Sequence, residues 1–513
     1  MKNDRGYITV FLSLILCVMM IVVTAVLTIA DYKHGSTKAE AALSSAESDT
    51  LARYQKMCFD RYHLLICDIT DGGCGEGASE ERIMKLMQEN LGDSFDVQEI
   101  ALSGMEKFAA NDYESFKHQI KDNSGYEAAG FAVDKIKEKT SDNDEPLKHG
   151  DIQNMENDID NEKETRELEQ MEKAEQGNLQ TSESDKRKIS DVNIKADDYK
   201  YGIVKTNESD GAAEYKKNDI EDPRDVLKSI KSAGIPDLIK PKNIRFSPDS
   251  IKGEDLPSDK VNQNHFKDVD TEFDDYDSMK KDLTSKNGWG NALSDHAEAI
   301  AYAADSFNCL TDQKYDDTYL NMELEYLACG EKTDSENYAM AVRGIIAIRL
   351  GINFSYLITD VKKMAELDSI SLAICSAAPF SQPVVKYLLA GCWSYCESIS
   401  DAYYLVHGKN LPYLKTEETW MTDLEHLGEI GNSDIKENEN GMSYKDYLMI
   451  LVSLHPKMIY PRMLDLIQLN VRKKGTEGGD EKFFIKNAVT AFGIDAEIKY
   501  KKKKIYLHEE TGY

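Results

Sequence analysis

The chain has 513 residues and a formal net charge of −30, with 30% of its residues charged. A length of this order holds roughly two to four ordinary domains. So large a negative charge repels nucleic acid, which excludes it as a partner, and keeps a large exposed region soluble.

The first six residues, MKNDRG, form a short leader that runs into residues 7–30. Those 24 positions carry no charge, and 14 of them are Leu, Ile, Val or Phe. As a helix the stretch is about 36 Å long, enough for a ~30 Å hydrocarbon core. Its apolar side chains favour insertion by roughly 4–8 kcal/mol. A secretory signal has a shorter apolar core and small residues at its cut. Here Asp31, Tyr32, Lys33 and His34 follow instead. The sequence therefore predicts an uncleaved, single membrane span. Lys2 and Arg5 before it balance Lys33 and Lys38 after it, so the positive-inside rule does not orient it. The short basic tail resembles the start of a signal, which predicts the tail inside and the bulk of the chain outside.

Residues 31–66 predict a helical stalk, with Gly35 as a break or hinge. Leu43, Ala46, Thr50, Tyr54 and Met57 recur at spacings of three and four along one face. Residues 67–140 then predict a small α/β region: a short strand, a glycine turn and an amphipathic helix. Within the turn, Gly73, Gly75 and Ala78 match G-x-G-x-x-A, in which glycine lets the backbone approach a pyrophosphate. No train of alternating strands and helices follows, so a plain glycine-rich turn is the expectation.

Residues 141–288 predict an acidic linker. In 141–200, 27 of 60 residues are charged and Tyr199 is the lone aromatic, too little apolar surface to offset ordering entropy. "DVDTEFDDYD" at 268–277 hints at a calcium loop, but Phe273 stands where an EF-hand needs glycine. Between these lies an island near 222–240 that predicts a docking helix. Asp222 caps it, Pro223 opens it, Val226, Leu227 and Ile230 give it an apolar face, and Gly234 and Pro236 end it.

Residues 289–513 predict a helical domain. Thr333 with Glu336 forms a capping box, followed by Tyr338, Val342, Ile345, Ile348, Ile352 and Tyr356 on one helix face. A long helix is expected over 383–407, stopping at Gly408. Lys386 and Glu397 leave only ten uncharged residues between them, too few for a second span. Ser443 with Asp446 caps a further helix, Pro461 starts another, and "AEIKYKKKKIYLHEE" predicts a terminal edge strand or hairpin. The fold class expected is mainly α with a minor α+β part.

The nine cysteines lack any Cys-x-x-Cys pair, so buried free thiols are expected rather than zinc. No metal or cofactor site is expected. Cys396, Asp401 and His407 fall on successive turns of one helix, the residue types of a thiol nucleophile with its base. A histidine beside Gly408 at a helix end is equally suited to the helix dipole. No other arrangement reads as catalytic, and no enzymatic activity is expected. Asn207-Glu-Ser209 and Asn353-Phe-Ser355 are formal glycosylation sequons.

"RGYITVFLSLIL", "LARYQKMCFDRYHLLICD", "DPRDVLKSIKSAGIPDLIKP" and "GMSYKDYLMILV" carry a resemblance, as does a long block from "LEYLACGEKTDSENYAMAVRGIIAIRLGINFSYLITD" through "CESISDAYYLVHGKNLPYLKTEETW". The chain resembles an uncharacterised family of bacterial membrane proteins associated with tight-adherence (Tad) pilus loci, with an N-terminus similar to TadE- and TadG-like minor pseudopilins. The resemblance implies an externally exposed structural or interaction component of a Tad-type (type IVb-like) pilus or secretion assembly. Its partners would be the cell membrane and other components of that assembly. Pilin-like proteins are cut after a glycine ending a basic leader, which here implies Gly6 and a new terminus at Tyr7. Many pilins carry glutamate five residues after the cut, where this chain has Phe11. The Asp-x-Ser-x-Ser cluster of a TadG-like adhesion domain is absent from the sequence. The alternative is a membrane-anchored extracytoplasmic enzyme or ligand-binding protein.

Overall fold

A computed structural model of the chain describes residues 5–122, 201–203, 215–220, 234–252, 255–261, 296–377 and 382–513, with short gaps between 425 and 439. Asp222, Pro223, Val226, Leu227, Ile230, Asn207 and the 268–277 loop lie outside the described residues.

The first element, α1 (Arg5–Leu51), is one helix of 47 residues, about 70 Å long. Between residues 9 and 30 its side chains are exposed, and this half is long and apolar enough to cross a membrane. From Ala39 the same helix buries Ala42, Leu43, Ala46, Glu47 and Thr50. The expected break at Gly35 is corrected: the helix runs straight through it. Glycine is needed there for closeness, because a Cβ would stand 2.6 Å from the Tyr500 ring.

The stem is seated on an antiparallel sheet that takes its strands from both ends of the chain. β1 (Cys67–Asp68) and β2 (Phe95–Lys107) come from the N-terminal part, with α3 (Glu76–Leu91) between them and α2 (Lys56–Tyr62) before. β5 (Ala488–Tyr500) and β6 (Lys503–Gly512) form the C-terminal hairpin. β5 is the central strand. Phe95 pairs with Tyr500 and Leu102 with Ile494 on one side, while Tyr500 pairs with Lys503 and Ala491 with Gly512 on the other. β1 adds to the β6 side through Cys67–Val489. Ile494, Ile498 and Ile505 meet Leu43 and Ala46 of α1 and Ile83, Met87 and Leu91 of α3 in one apolar cluster. The predicted terminal hairpin therefore exists, but it belongs to the sheet packed on α1 and not to the edge of the helical part.

The larger core is helical. α5 (Ala297–Ser306), α6 (Glu323–Cys329), α7 (Asp334–Thr359), α8 (Val361–Ala377), α9 (Gln382–Val406), α10 (Tyr444–Ser453) and α11 (Ile459–Arg472) pack around Trp393, Ile345, Tyr447, Leu464 and their neighbours. α7 is also long and apolar enough for a membrane, but it is a largely buried core helix carrying Arg349 and Asn353. Both capping boxes are present: Glu336 N–H donates to Thr333 Oγ1 over 3.3 Å, and Asp446 N–H donates to Ser443 Oγ over 3.2 Å.

Part of the expected linker is instead packed structure. β3 (Tyr201–Ile203) pairs with β4 (Tyr215–Ile220). Gly234 and Pro236 stand at the opening of a helix, α4 (Ile235–Ile239), whose Ile235 and Ile239 are buried in the helical core, while the helix expected before them lies outside the described residues. The chain that follows stays on the bundle, with Ser247 N–H donating to Asp334 Oδ2 over 2.7 Å and Ser258 N–H to Asp465 Oδ1 over 3.1 Å. The segment reads as linker because its apolar residues are few; those few are the ones that dock.

Candidate functional site

Where α1 leaves its apolar half, three contacts fix the stem to the sheet. Tyr500 Oη donates to Asp31 Oδ1 over 3.0 Å, and Lys501 Nζ lies 2.6 Å from Asp31 Oδ2. Tyr500 fills the space that Gly35 leaves and stacks on Phe95, ring centroids 4.4 Å apart. The hydrogen bond from Lys501, then that from Tyr500, holds the Asp31 carboxyl below its usual range. At the other end of the docked half, Tyr513 Oη donates to the Leu51 carbonyl over 2.6 Å. A helix clamped at both ends of its buried half transmits the body's position to its exposed half as a rigid rod.

The thiol, carboxylate and imidazole that the sequence places on successive turns do not converge. Cys396 is buried, and burial pushes its thiol up to about 12. His407 is exposed; its Nδ1 lies 2.7 Å from the Tyr403 carbonyl oxygen and its ring 4.1 Å from the Tyr403 ring. Asp401 belongs to a different group. Arg349 Nε donates to its Oδ2 over 2.8 Å, and Lys415 Nζ pairs with its Oδ1 at 2.7 Å. Burial alone would raise the Asp401 pKa, but Arg349 and Lys415 pull it below the usual carboxylate range.

That group is a closed charge cluster between α7, α9 and the chain near 411–422. Lys415 also donates to Glu397 Oε1 over 2.6 Å, and Glu397 accepts from the Thr422 amide over 2.8 Å. Arg349 spends its remaining donors on the carbonyls of Pro412 (3.0 Å) and Tyr413 (2.7 Å), on Tyr447 Oη (3.1 Å) and on Asn353 Oδ1 (3.2 Å). Asn353, the asparagine of the second sequon, is itself buried and donates to Asp401 and Ser398. Two cations and two anions cancel, and the donors are met, so the cluster binds loop to helices rather than a ligand. A sequence signal existed for it: four charged residues within otherwise apolar helices and their adjoining loop must be paired to be buried.

The glycine turn is likewise turned inward. Gly72, Gly73 and Gly75 all take the left-handed conformation. The Gly73 amide, which a pyrophosphate would need, donates to Thr70 Oγ1 over 3.0 Å, and the Ala78 amide to the Gly75 carbonyl over 3.1 Å. Beside the turn lies an open cleft of about 180 Å³ where Arg53 and Arg82 face Asp68, Asp71 and Asp480. Arg53 and Arg82 both donate to Asp49, each over 3.1 Å. Of the nine cysteines, Cys58, Cys67, Cys309, Cys392 and Cys396 are buried and all nine are free.

The chain belongs to a family of unknown function, DUF5702, which matches residues 213–500. That span takes in helices α4 to α11 and the central strand β5, and stops at Tyr500. Neither a curated protein nor a solved structure matches the chain.

Proposed function

We propose that the protein is a membrane-anchored, extracytoplasmic structural or interaction component of a Tad-type pilus or secretion assembly, built as a minor pseudopilin is. One observation carries the reading: α1 is a single uninterrupted helix whose first half is apolar and exposed and whose second half is clamped on a sheet. A stem that must lie in a bilayer, or among neighbouring stems, and still hold a body outside needs this layout. The N-terminal resemblance at "RGYITVFLSLIL" names the context. Gly6 is the processing site and Tyr7 the mature terminus, and Phe11 adds apolar surface where a pilin glutamate would stand.

Two measurements test this. In intact protoplasts an external protease digests the part after residue 30; protection of that part overturns the topology. Mass spectrometry of the N-terminal peptide from membranes gives Tyr7 for a processed pseudopilin stem. A terminus at Met1 leaves a plain anchor and removes the pseudopilin reading, and one beyond Ala30 removes the anchor as well.

A further inference from the structure

The chain's most basic run, "KYKKKK" at 499–504, lies almost five hundred residues from the stem in sequence, yet the fold returns it to the point where the apolar half of α1 ends. Lys501 caps the hairpin turn at φ 57° and pairs with Asp31. Lys504 pairs with Glu497, and Lys499 stands across the ladder from Asp96. Lys502 and Lys503 carry no acidic partner among the described residues. Lys503 Nζ lies over the Tyr32 ring, 4.8 Å from its centroid, and Lys33 is exposed on the stem one residue further.

We infer that Lys33, Lys502 and Lys503, with Tyr32, form a collar that binds anionic lipid headgroups where the stem leaves the bilayer. The inference rests on the anchoring of α1 proposed above. The headgroup layer adds about 5–7 Å to each side of the hydrocarbon core, a depth that lysine side chains beside Tyr32 reach. Each lysine held at such a surface strengthens attraction to anionic lipid roughly fivefold, and a tyrosine at the same level suits the interface. The chain as a whole carries −30, so the surface outside the collar is repelled by the same headgroups. The collar therefore sets which end of the body faces the membrane.

The test uses the full chain in vesicles of phosphatidylcholine with phosphatidylglycerol, with the association of each spin-labelled lipid read by electron paramagnetic resonance. Alkaline carbonate extraction comes first; release of the protein overturns both the anchor and the collar. With the protein retained, phosphatidylglycerol should outcompete phosphatidylcholine several-fold at low salt, and salt should erode the preference. The double substitution Lys502→Gln, Lys503→Gln, too far along the chain to alter insertion, should lower the preference at least threefold. Lys502→Arg with Lys503→Arg should restore it. Equal association of the two lipids with the native chain, or a preference unchanged by the Gln pair, overturns the collar and leaves the anchor standing.

Discussion

Asp401 and Glu397 share Lys415 in a buried space, and Arg349 makes five hydrogen bonds to four elements of chain. A planar fork with fixed donor directions does this where an ammonium does not. Arg349→Lys is expected to cost about 3–5 kcal/mol, because it leaves Asp401 and the Pro412 and Tyr413 carbonyls short of partners in the core. Arg349→Met combined with Asp401→Leu should cost clearly less than the two single changes added together. Urea unfolding of the native chain and the four variants measures both; a Lys variant within about 0.5 kcal/mol of the native chain would show that the cluster holds nothing together. A second set of buried acids behaves differently, because burial outweighs the groups that favour their charge. Burial pushes Glu325 up to about 8, Glu323 to about 7 and Asp465 to about 6. In the folded chain these groups keep protons that the unfolded chain releases near its ordinary carboxylate values. Their protonated forms stabilise the fold at low pH, and that contribution is lost as pH rises through the folded values. Asp401, lowered instead, acts only below this window. Stability should therefore fall from about pH 4 to about pH 8, and Glu325→Gln should remove roughly 1–3 kcal/mol of that fall. Melting temperatures of the two proteins across the window decide it: parallel curves would mean that Glu325 is ionised throughout.

At the scale of elements, stem and sheet are joined by shape. Tyr500 occupies the notch at Gly35 and is held from behind by Phe95, so its ring has little room to yield. Gly35→Leu should unseat the hairpin from the stem, costing about 1–3 kcal/mol despite the better helix propensity of leucine. Hydrogen exchange in β6 and the second half of α1 should speed up while α7 and α9 stay protected; unchanged exchange at the stem would refute the notch. These elements differ in how far they could be read from sequence. The capping boxes at Thr333 and Ser443, the α3 helix after its glycine turn and the α9 helix ending before Gly408 rest on local spacing, and they stand where local chemistry puts them. Gly35 misleads because a glycine needed for close approach and one needed for bending look alike until the opposing ring is known. The same limit hides the Arg349–Asp401–Lys415–Glu397 cluster, whose members lie up to 66 positions apart by their numbering. It also hides the sheet, since the alternation in β5 announces a strand but not that its partners lie near residue 100.

The molecule as a whole is closed by its own ends. β5 runs out of the helical core at Ala488 and into the apolar cluster beneath α1 and α3 at Val489, so one strand belongs to both packing units. The family match at 213–500 includes β5 but omits β2 on one side of it, β6 on the other and the α1 and α3 helices over its apolar face. In the fragment 213–500, Val489, Phe492, Ile494, Ala496 and Ile498 would stand on a strand with two open edges and no cover. Tyr62 of α2 would be missing too, although Asn470 Nδ2 donates to its hydroxyl over 2.7 Å within the helical core. An exposed apolar strand with free edges is a template for pairing between chains. The fragment 213–500 is therefore expected to aggregate or to run as a broad oligomer in size-exclusion chromatography. The fragment 31–513, which keeps Asp31 and lacks the leader and the apolar half of α1, should elute as a single species and unfold cooperatively. Adding 488–513 to a separately expressed 32–122 segment should recover the sheet by complementation, read as protection of β2 amides from exchange. A monomeric 213–500 fragment with a sharp melting transition would sink the view that stem, sheet and bundle fold as one body. The stem would then be an appendage to an independent helical domain.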